Sequence, residues 1–224
     1  MMPKSLSLTA AAVVTVLALS APIASAGLIK NYTFDGANTN LGDSTTFAGD
    51  QVGGPSMTVK GYLLTGSTWG LEKVQRVGDA LGVNSFPGDT NAAGQLGFRV
   101  EGLLFDLGAV VHGSIKLDFS AFSGSDNADI WASTSDIIAT DFAGATQLAN
   151  DSSSNPFTSN SLSFRYIFVA NTASPDGACD QTKNQTSSNC FRIDNLQVVP
   201  EPGSLALVSA ALLLAGTLRR RRSL

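Results

Sequence analysis

Ser114-Ile115-Lys116-Leu117-Asp118-Phe119 is the stretch whose reading decides the fold. Apolar and polar residues alternate strictly through it, so an extended chain places Ile115, Leu117 and Phe119 on one face and Ser114, Lys116 and Asp118 on the other. The same period recurs on both sides. Leu162, Phe164, Tyr166 and Phe168 are expected to share one face, opposite Ser163 and Arg165. Met57, Val59 and Leu63 form another such face, as do Leu96, Phe98 and Val100, and Ala128, Ile130 and Ala132 flank Trp131. Turn-forming runs separate them: Gly53-Gly54-Pro55, Pro87-Gly88-Asp89, Ser123-Gly124-Ser125-Asp126, Asp151 to Pro156 and Ser174-Pro175-Asp176-Gly177. Leu71, Val74, Val77 and Leu81 lie nearer helical spacing and remain ambiguous. About eight short strands with this punctuation predict an all-β domain, a single β-sandwich of jelly-roll type over residues 27–198.

Composition agrees. The chain has 224 residues, enough for one domain with a real core and too few for two large ones. Charged residues make up 14%, well below the ordinary share of about 25%, and there are 22 glycines. Coiled coil, helical bundle and charged disordered tail are excluded. The whole chain carries 14 Lys+Arg and 18 Asp+Glu. Five of the bases and one of the acids lie in the terminal segments, leaving nine bases against 17 acids, or −8, over residues 27–198. A domain of that sign repels phosphate backbones, so nucleic acid is no partner. Its carboxylates are spread along the chain, which suits solubility and divalent-cation binding better than an acidic tail.

Residues 1–26 start with Lys4, continue as an apolar run from Leu6 to Leu19, and end in Ala24-Ser25-Ala26. A basic start, a short apolar middle and small residues at Ala24 and Ala26 make a secretory signal peptide, cut before Gly27 by signal peptidase. At the other end, Val199-Pro200-Glu201-Pro202-Gly203 precedes an apolar stretch, Leu205 to Leu218, and then Arg219-Arg220-Arg221-Arg222. The prolines offer no ladder N–H and are expected to break the preceding strand. As a helix, the apolar stretch is about 21 Å long, short of the roughly 30 Å hydrocarbon core. It spans only a thinned bilayer, with the arginines held cytoplasmic. Such a transmembrane helix holds a chain briefly while something acts on it.

Pro-Glu-Pro, a short apolar helix and a terminal arginine cluster, in that order over residues 199–224, resemble the PEP-CTERM sorting signal of Gram-negative bacteria. The resemblance implies recognition of Pro200, Glu201 and Pro202 by an exosortase, a membrane-embedded cysteine protease. Cleavage near that motif would then release or attach the chain at the cell surface. A second similarity, to exosortase-dependent surface proteins, spans residues 69–133. It rests on Leu81-Gly82-Val83, on Gly102-Leu103-Leu104-Phe105-Asp106-Leu107 and on Asp126-Asn127-Ala128-Asp129-Ile130-Trp131. It implies surface display, not a reaction.

Catalytic chemistry finds little support. His112 is the sole imidazole, with no Gly-x-Ser-x-Gly elbow for a triad. Zinc clusters cannot be assembled from one His and two Cys, and neither a Walker loop nor a dinucleotide fingerprint is present. A glycosidase pair drawn from 17 carboxylates has no spacing to support it. Cys179 and Cys190, the only cysteines, bracket a polar loop in the exported part. An even count in an oxidising compartment predicts a disulfide, worth about 3 kcal/mol for a loop of that length.

Calcium is the one cofactor considered. Tyr32-Thr33-Phe34-Asp35-Gly36 ends a first strand, and Phe191-Arg192-Ile193-Asp194-Asn195-Leu196 lies in the last. The apolar phase slips between Ile193 and Leu196, which predicts a bulge that re-aims Asp194. First and last strands are often neighbours in a jelly roll, so Asp35 and Asp194 are candidate oxygen ligands beside backbone carbonyls. The pattern is similar to the structural calcium site of carbohydrate-binding jelly rolls. Trp131 and Trp69 are candidates for stacking on sugar rings, against the alternative that both are core. The sequence thus predicts an exported, exosortase-processed surface or matrix protein without catalytic activity, associated with exopolysaccharide. A calcium-stabilised carbohydrate-binding module is the alternative, and an extracellular hydrolase a distant one.

Overall fold

The computed structural model describes residues 30–50, 56–84, 100–122, 126–171 and 191–200, all within a body spanning Ala26–Pro202. Ala24, Ala26, Glu201, Pro202, the stretch 205–218, Arg219 to Arg222 and both Cys179 and Cys190 lie outside the described residues, as does most of the strand expected at Leu96 to Val100. Among the described residues no helix is long and apolar enough to cross a membrane.

The described residues are all-β. Its strands are β1 (Lys30–Thr33), β2 (Thr39–Gly42), β3 (Ser44–Phe47), β4 (Met57–Thr65), β5 (Thr68–Val77), β6 (Ala80–Asn84), β7 (Glu101–Ser120), β8 (Ala128–Ser133), β9 (Thr146–Ser152), β10 (Phe157–Thr158), β11 (Leu162–Asn171) and β12 (Arg192–Pro200). They pair antiparallel in the order β1-β12-β6-β5-β4-β7-β11-β8-β9, with β2 on β5, β3 on β4 and β10 on β7. Strand β12 also pairs with β7, so the ladder returns on itself through β7, β4, β5, β6 and β12. The β12–β6 link is a single pair, Ile193 with Leu81. First and last strands are neighbours as expected, with Tyr32 opposite Leu196.

The long strand β7 makes this closure possible. Its first part pairs with β4 and β11, and its second with β12 and β10. Between them the β11 register jumps from Phe164–Val111 to Tyr166–Asp106. Residues 107–110 have no β11 partner, and Gly108 turns there at φ +75°, a region that glycine enters without penalty. Asp106 braces the kink: its carboxylate accepts the Gly108 N–H at 2.8 Å and two Arg165 hydrogen bonds at 2.7 and 3.0 Å.

The kink corrects one expectation. Leu162, Phe164, Tyr166 and Phe168 do not share a face. Phe164 packs inside with Ile167 and Val169, whereas Tyr166 and Phe168 join a separate cluster on the other side of the sheet. Across the irregularity β11 advances two residues while β7 advances five, and this odd offset inverts the side chains of β11 that follow it. The ambiguous run Leu71 to Leu81 is the hairpin β5–β6, turning at Gly78 with φ +62°. Its near-helical spacing arises because Val74 faces the core while Leu71 faces out, 59% exposed.

The interior is apolar and aromatic. Phe34, just past β1, sits 5.0 Å from Phe47 and 6.3 Å from Phe105 of β7. Strand β1 hangs on β12, so this contact crosses the inside of the curled ladder. Ile115, Leu117 and Phe119 are buried, on the face that the alternation predicted. The last strand overruns the boundary expected at residue 198. Val199 and Pro200 continue β12, with Pro200 opposite Gly113. A final strand residue can lack a ladder N–H, and Gly113 leaves room: a Cβ there would collide with the Val199 carbonyl and come within 2.8 Å of the Pro200 Cα.

Candidate functional site

Side chains on the outer face of β5, β4, β7, β11 and β8 assemble a second apolar cluster, separate from the core. Cross-strand pairs place its members: Leu71 lies opposite Tyr62, Tyr62 opposite Gly102, Leu104 opposite Phe168, and Phe168 opposite Trp131. Phe168 is the hub. Its ring is 5.0 Å from Trp69, 5.9 Å from Trp131, 6.3 Å from Tyr62 and 5.6 Å from Phe142. Gly102 makes the hub possible, because a Cβ at that position would overlap the Phe168 ring.

Phe142 reaches the cluster from the connection between β8 and β9. This segment is held by its own turns rather than by a ladder. Asp136 accepts the Ile138 and Ala139 N–H groups at 3.1 and 3.2 Å, and the Phe142 N–H reaches the Ile137 carbonyl at 2.8 Å. Ile137 is fully buried beneath it, while Asp141 and Phe142 adopt left-handed φ values of +47° and +62°. Non-glycine residues occupy that region rarely, so surrounding contacts must hold the Phe142 ring in place. It stands 5.1 Å from Trp131 and 6.4 Å from Trp69.

Trp131 and Trp69, 62 residues apart in sequence, therefore converge on two phenylalanines, and both stay half-buried. With exposed Leu71 they form an aromatic surface over buried Tyr62, with Tyr166 and Asp136 as half-buried polar neighbours. Burial, with help from the Asp136 charge, pushes the Tyr62 phenol up to about 12. It remains a neutral hydroxyl at any physiological pH. Chemically the surface can stack flat apolar faces and offer the Tyr166 hydroxyl at its rim.

The calcium candidates are placed differently. The bulge expected near Asp194 is present, between Ile193 and Asn195. Burial raises the proton affinity of Asp194, a Ser120 hydrogen bond opposes this, and the acids that face it are Asp79 and Asp118. Asp35 is exposed, and its carbonyl is taken by Arg76, whose Nη1 donates to it at 3.1 Å while Nε donates to the Ala37 carbonyl at 3.1 Å. Gly36 admits the guanidinium, since a Cβ there would lie 2.5–2.7 Å from its atoms. A cation thus already sits on the carbonyls that a calcium ion would need. Among the described residues no three His, Cys, Asp or Glu side chains converge on a possible metal position.

Two other groupings stand out. His112 Nδ1 lies 2.8 Å from Ser163 Oγ across β7 and β11, an exposed pair. Sequence reasoning missed the buried acid Glu101, 0% exposed, whose N–H donates to the Asn171 side-chain oxygen at 2.7 Å, and did not foresee that Asp126 is buried, at 1% exposed. The only signal for Glu101 was an acid directly beside an apolar run. Phe142 was missed as well; its signal was a lone aromatic in a polar connection.

No family model and no curated protein matches the chain. Among solved structures, one match is to CpGH89CBM32-6 produced by Clostridium perfringens, at 10% identity and TM-score 0.30, over 45% of this chain and 69% of that one. Another is to chitosan-binding module 1 of a chitosanase/glucanase from Paenibacillus sp. IK-5, at 13% identity and TM-score 0.33, over 51% of this chain and 79% of that one. At these scores neither likeness bears on the fold or ligand of this chain.

Proposed function

We propose that this chain is an exported, non-catalytic β-sandwich of jelly-roll type that reaches the cell surface by exosortase processing and holds extracellular polysaccharide on its Trp69–Trp131 face. The observation that carries the binding half is the convergence of two half-buried tryptophans on Phe142 and Phe168, beside exposed Leu71. Sugar rings present flat C–H faces that stack on such aromatics, while the rim hydroxyl meets their OH groups. A core tryptophan pair would be sealed, and this pair is not. The delivery half is supported by the sequence alone. A leader ending Ala24-Ser25-Ala26 and a tail of Pro200-Glu201-Pro202, apolar helix and Arg219 to Arg222 describe one route, through signal peptidase and then exosortase. Calcium is not needed in this reading, since Arg76 fastens the loop after β1.

The binding half is tested by measuring retention of the mature protein on the polysaccharide of its host. Trp131→Ala and Leu71→Ala are expected to weaken it about tenfold or more, roughly 1.4 kcal/mol per factor of ten. Leu71 is exposed, so its variant should melt as the parent does. Undiminished retention in both variants would remove the aromatic face from the account.

A further inference from the structure

We infer that the Trp69–Trp131 face selects an uncharged glycan and discriminates against polymers bearing carboxylate, sulfate or phosphate. This rests on the glycan-binding reading above and adds the charge class of the ligand. The accessible lining is neutral: Trp69, Trp131 and Phe142, half-buried, with exposed Leu71, over the buried Phe168 and Tyr62. Recognition of an acidic sugar calls for a cation aimed at it, by preference an arginine fork. The arginine at this face is already committed. Arg165 gives Nε and Nη2 to the two oxygens of Asp106 and lies 4.8 Å over the Tyr166 ring. Lys60, opposite Leu104 on the flank of β4, has the same Asp106 carboxylate as a neighbouring charge. Lys73 is exposed two residues past Leu71, on the flank away from Trp131.

The rim nearest Trp131 has the opposite sign. Asp129 lies two residues before Trp131 on β8, its oxygen accepting the Asp151 N–H at 2.8 Å. Asp136 opens the segment that carries Phe142. Backbone N–H groups fix both carboxylates in place, so an approaching anion cannot displace them without breaking those bonds. Behind the rim stands a domain of net −8 over residues 27–198, whose field opposes polyanions at longer range. Stacking is what remains, and stacking does not depend on salt.

The test uses the mature protein with neutral β-glucan and galactan oligosaccharides, chitosan oligomers and alginate, in low salt and in about 1 M NaCl, where the screening length is about 3 Å. A neutral oligosaccharide should bind with affinities that agree within about twofold at the two salt levels. Alginate should bind at least about tenfold more weakly at low salt, or not at all. Tighter binding of alginate or chitosan that falls on adding salt and is lost in Trp131→Ala would overturn the charge selection while leaving a glycan-binding face. If no polymer binds, or binding ignores both Trp131→Ala and Leu71→Ala, the glycan reading fails and this inference with it.

Discussion

Asp106 and Asp194 are two carboxylates of the same ladder with opposite proton economies. The Arg165 fork holds the Asp106 carboxyl below the usual carboxylate range, against a smaller effect of burial. Its stabilising contribution is therefore complete above that range and is lost as pH falls through the depressed value. Asp194 is the reverse: burial, with Asp79 and Asp118 facing it, raises its proton affinity. The charged form is disfavoured in the folded state, so stability is lost as pH rises from the usual range through the raised value. Asp106→Asn should lower the melting temperature at pH 7, with the gap to wild type closing in acid. Asp194→Asn, which can keep a hydrogen bond to Ser120, should raise it at pH 7, with that gap also closing in acid. Thermal melts across acid to neutral pH check both signs. A bound calcium ion at Asp194 would invert the second, because a coordinated carboxylate loses its proton more readily and its removal would destabilise.

Strand β11 shows how far a sequence can be read and where it stops. Alternation located the strands around Ile115, Met57 and Ile130 and their inward faces, because burial of one face imposes that pattern directly. It assigned Phe168 to the wrong side, since the register shift between Phe164 and Tyr166 leaves no mark in the order of apolar residues. The outer cluster was half legible. Two tryptophans were visible as candidates, but nothing in the sequence showed that they meet, because the hub and the Phe142 brace depend on register and on an irregular connection. Gly102 was likewise silent, although the cluster requires it. Gly102→Val would push the Phe168 ring out of its seat, and overpacking of this kind costs about 1–3 kcal/mol. Denaturant unfolding should report that loss, and the tryptophan fluorescence of the folded variant should shift, because Trp69 and Trp131 both lean on the displaced ring. An unchanged midpoint would mean that the ring adapts elsewhere.

At the scale of the molecule, folding and delivery meet at one residue. Pro200 closes the pairing of β12 with β7 and is the first residue of the motif read as a sorting signal. Replacing Pro200, Glu201 and Pro202 by alanines should leave the melting temperature nearly unchanged, since an alanine at the end of β12 keeps the extended backbone. Full-length chain should accumulate in the membrane fraction, as seen by mass spectrometry or immunoblotting of fractionated cells. Normal processing of that variant would defeat the exosortase reading.

The ring also imposes an order in time. Strand β12 joins β1, β6 and β7, whose residues lie some 70 to 170 positions earlier in the chain. No earlier segment can stand in for it, and pairings this distant form slowly. On the proposed export route the chain crosses from its N-terminus, so the closing strand is the last of the domain to emerge. The domain thus cannot lock while it is still threading the translocation channel. It stays pliable until the nine residues of β12 have passed.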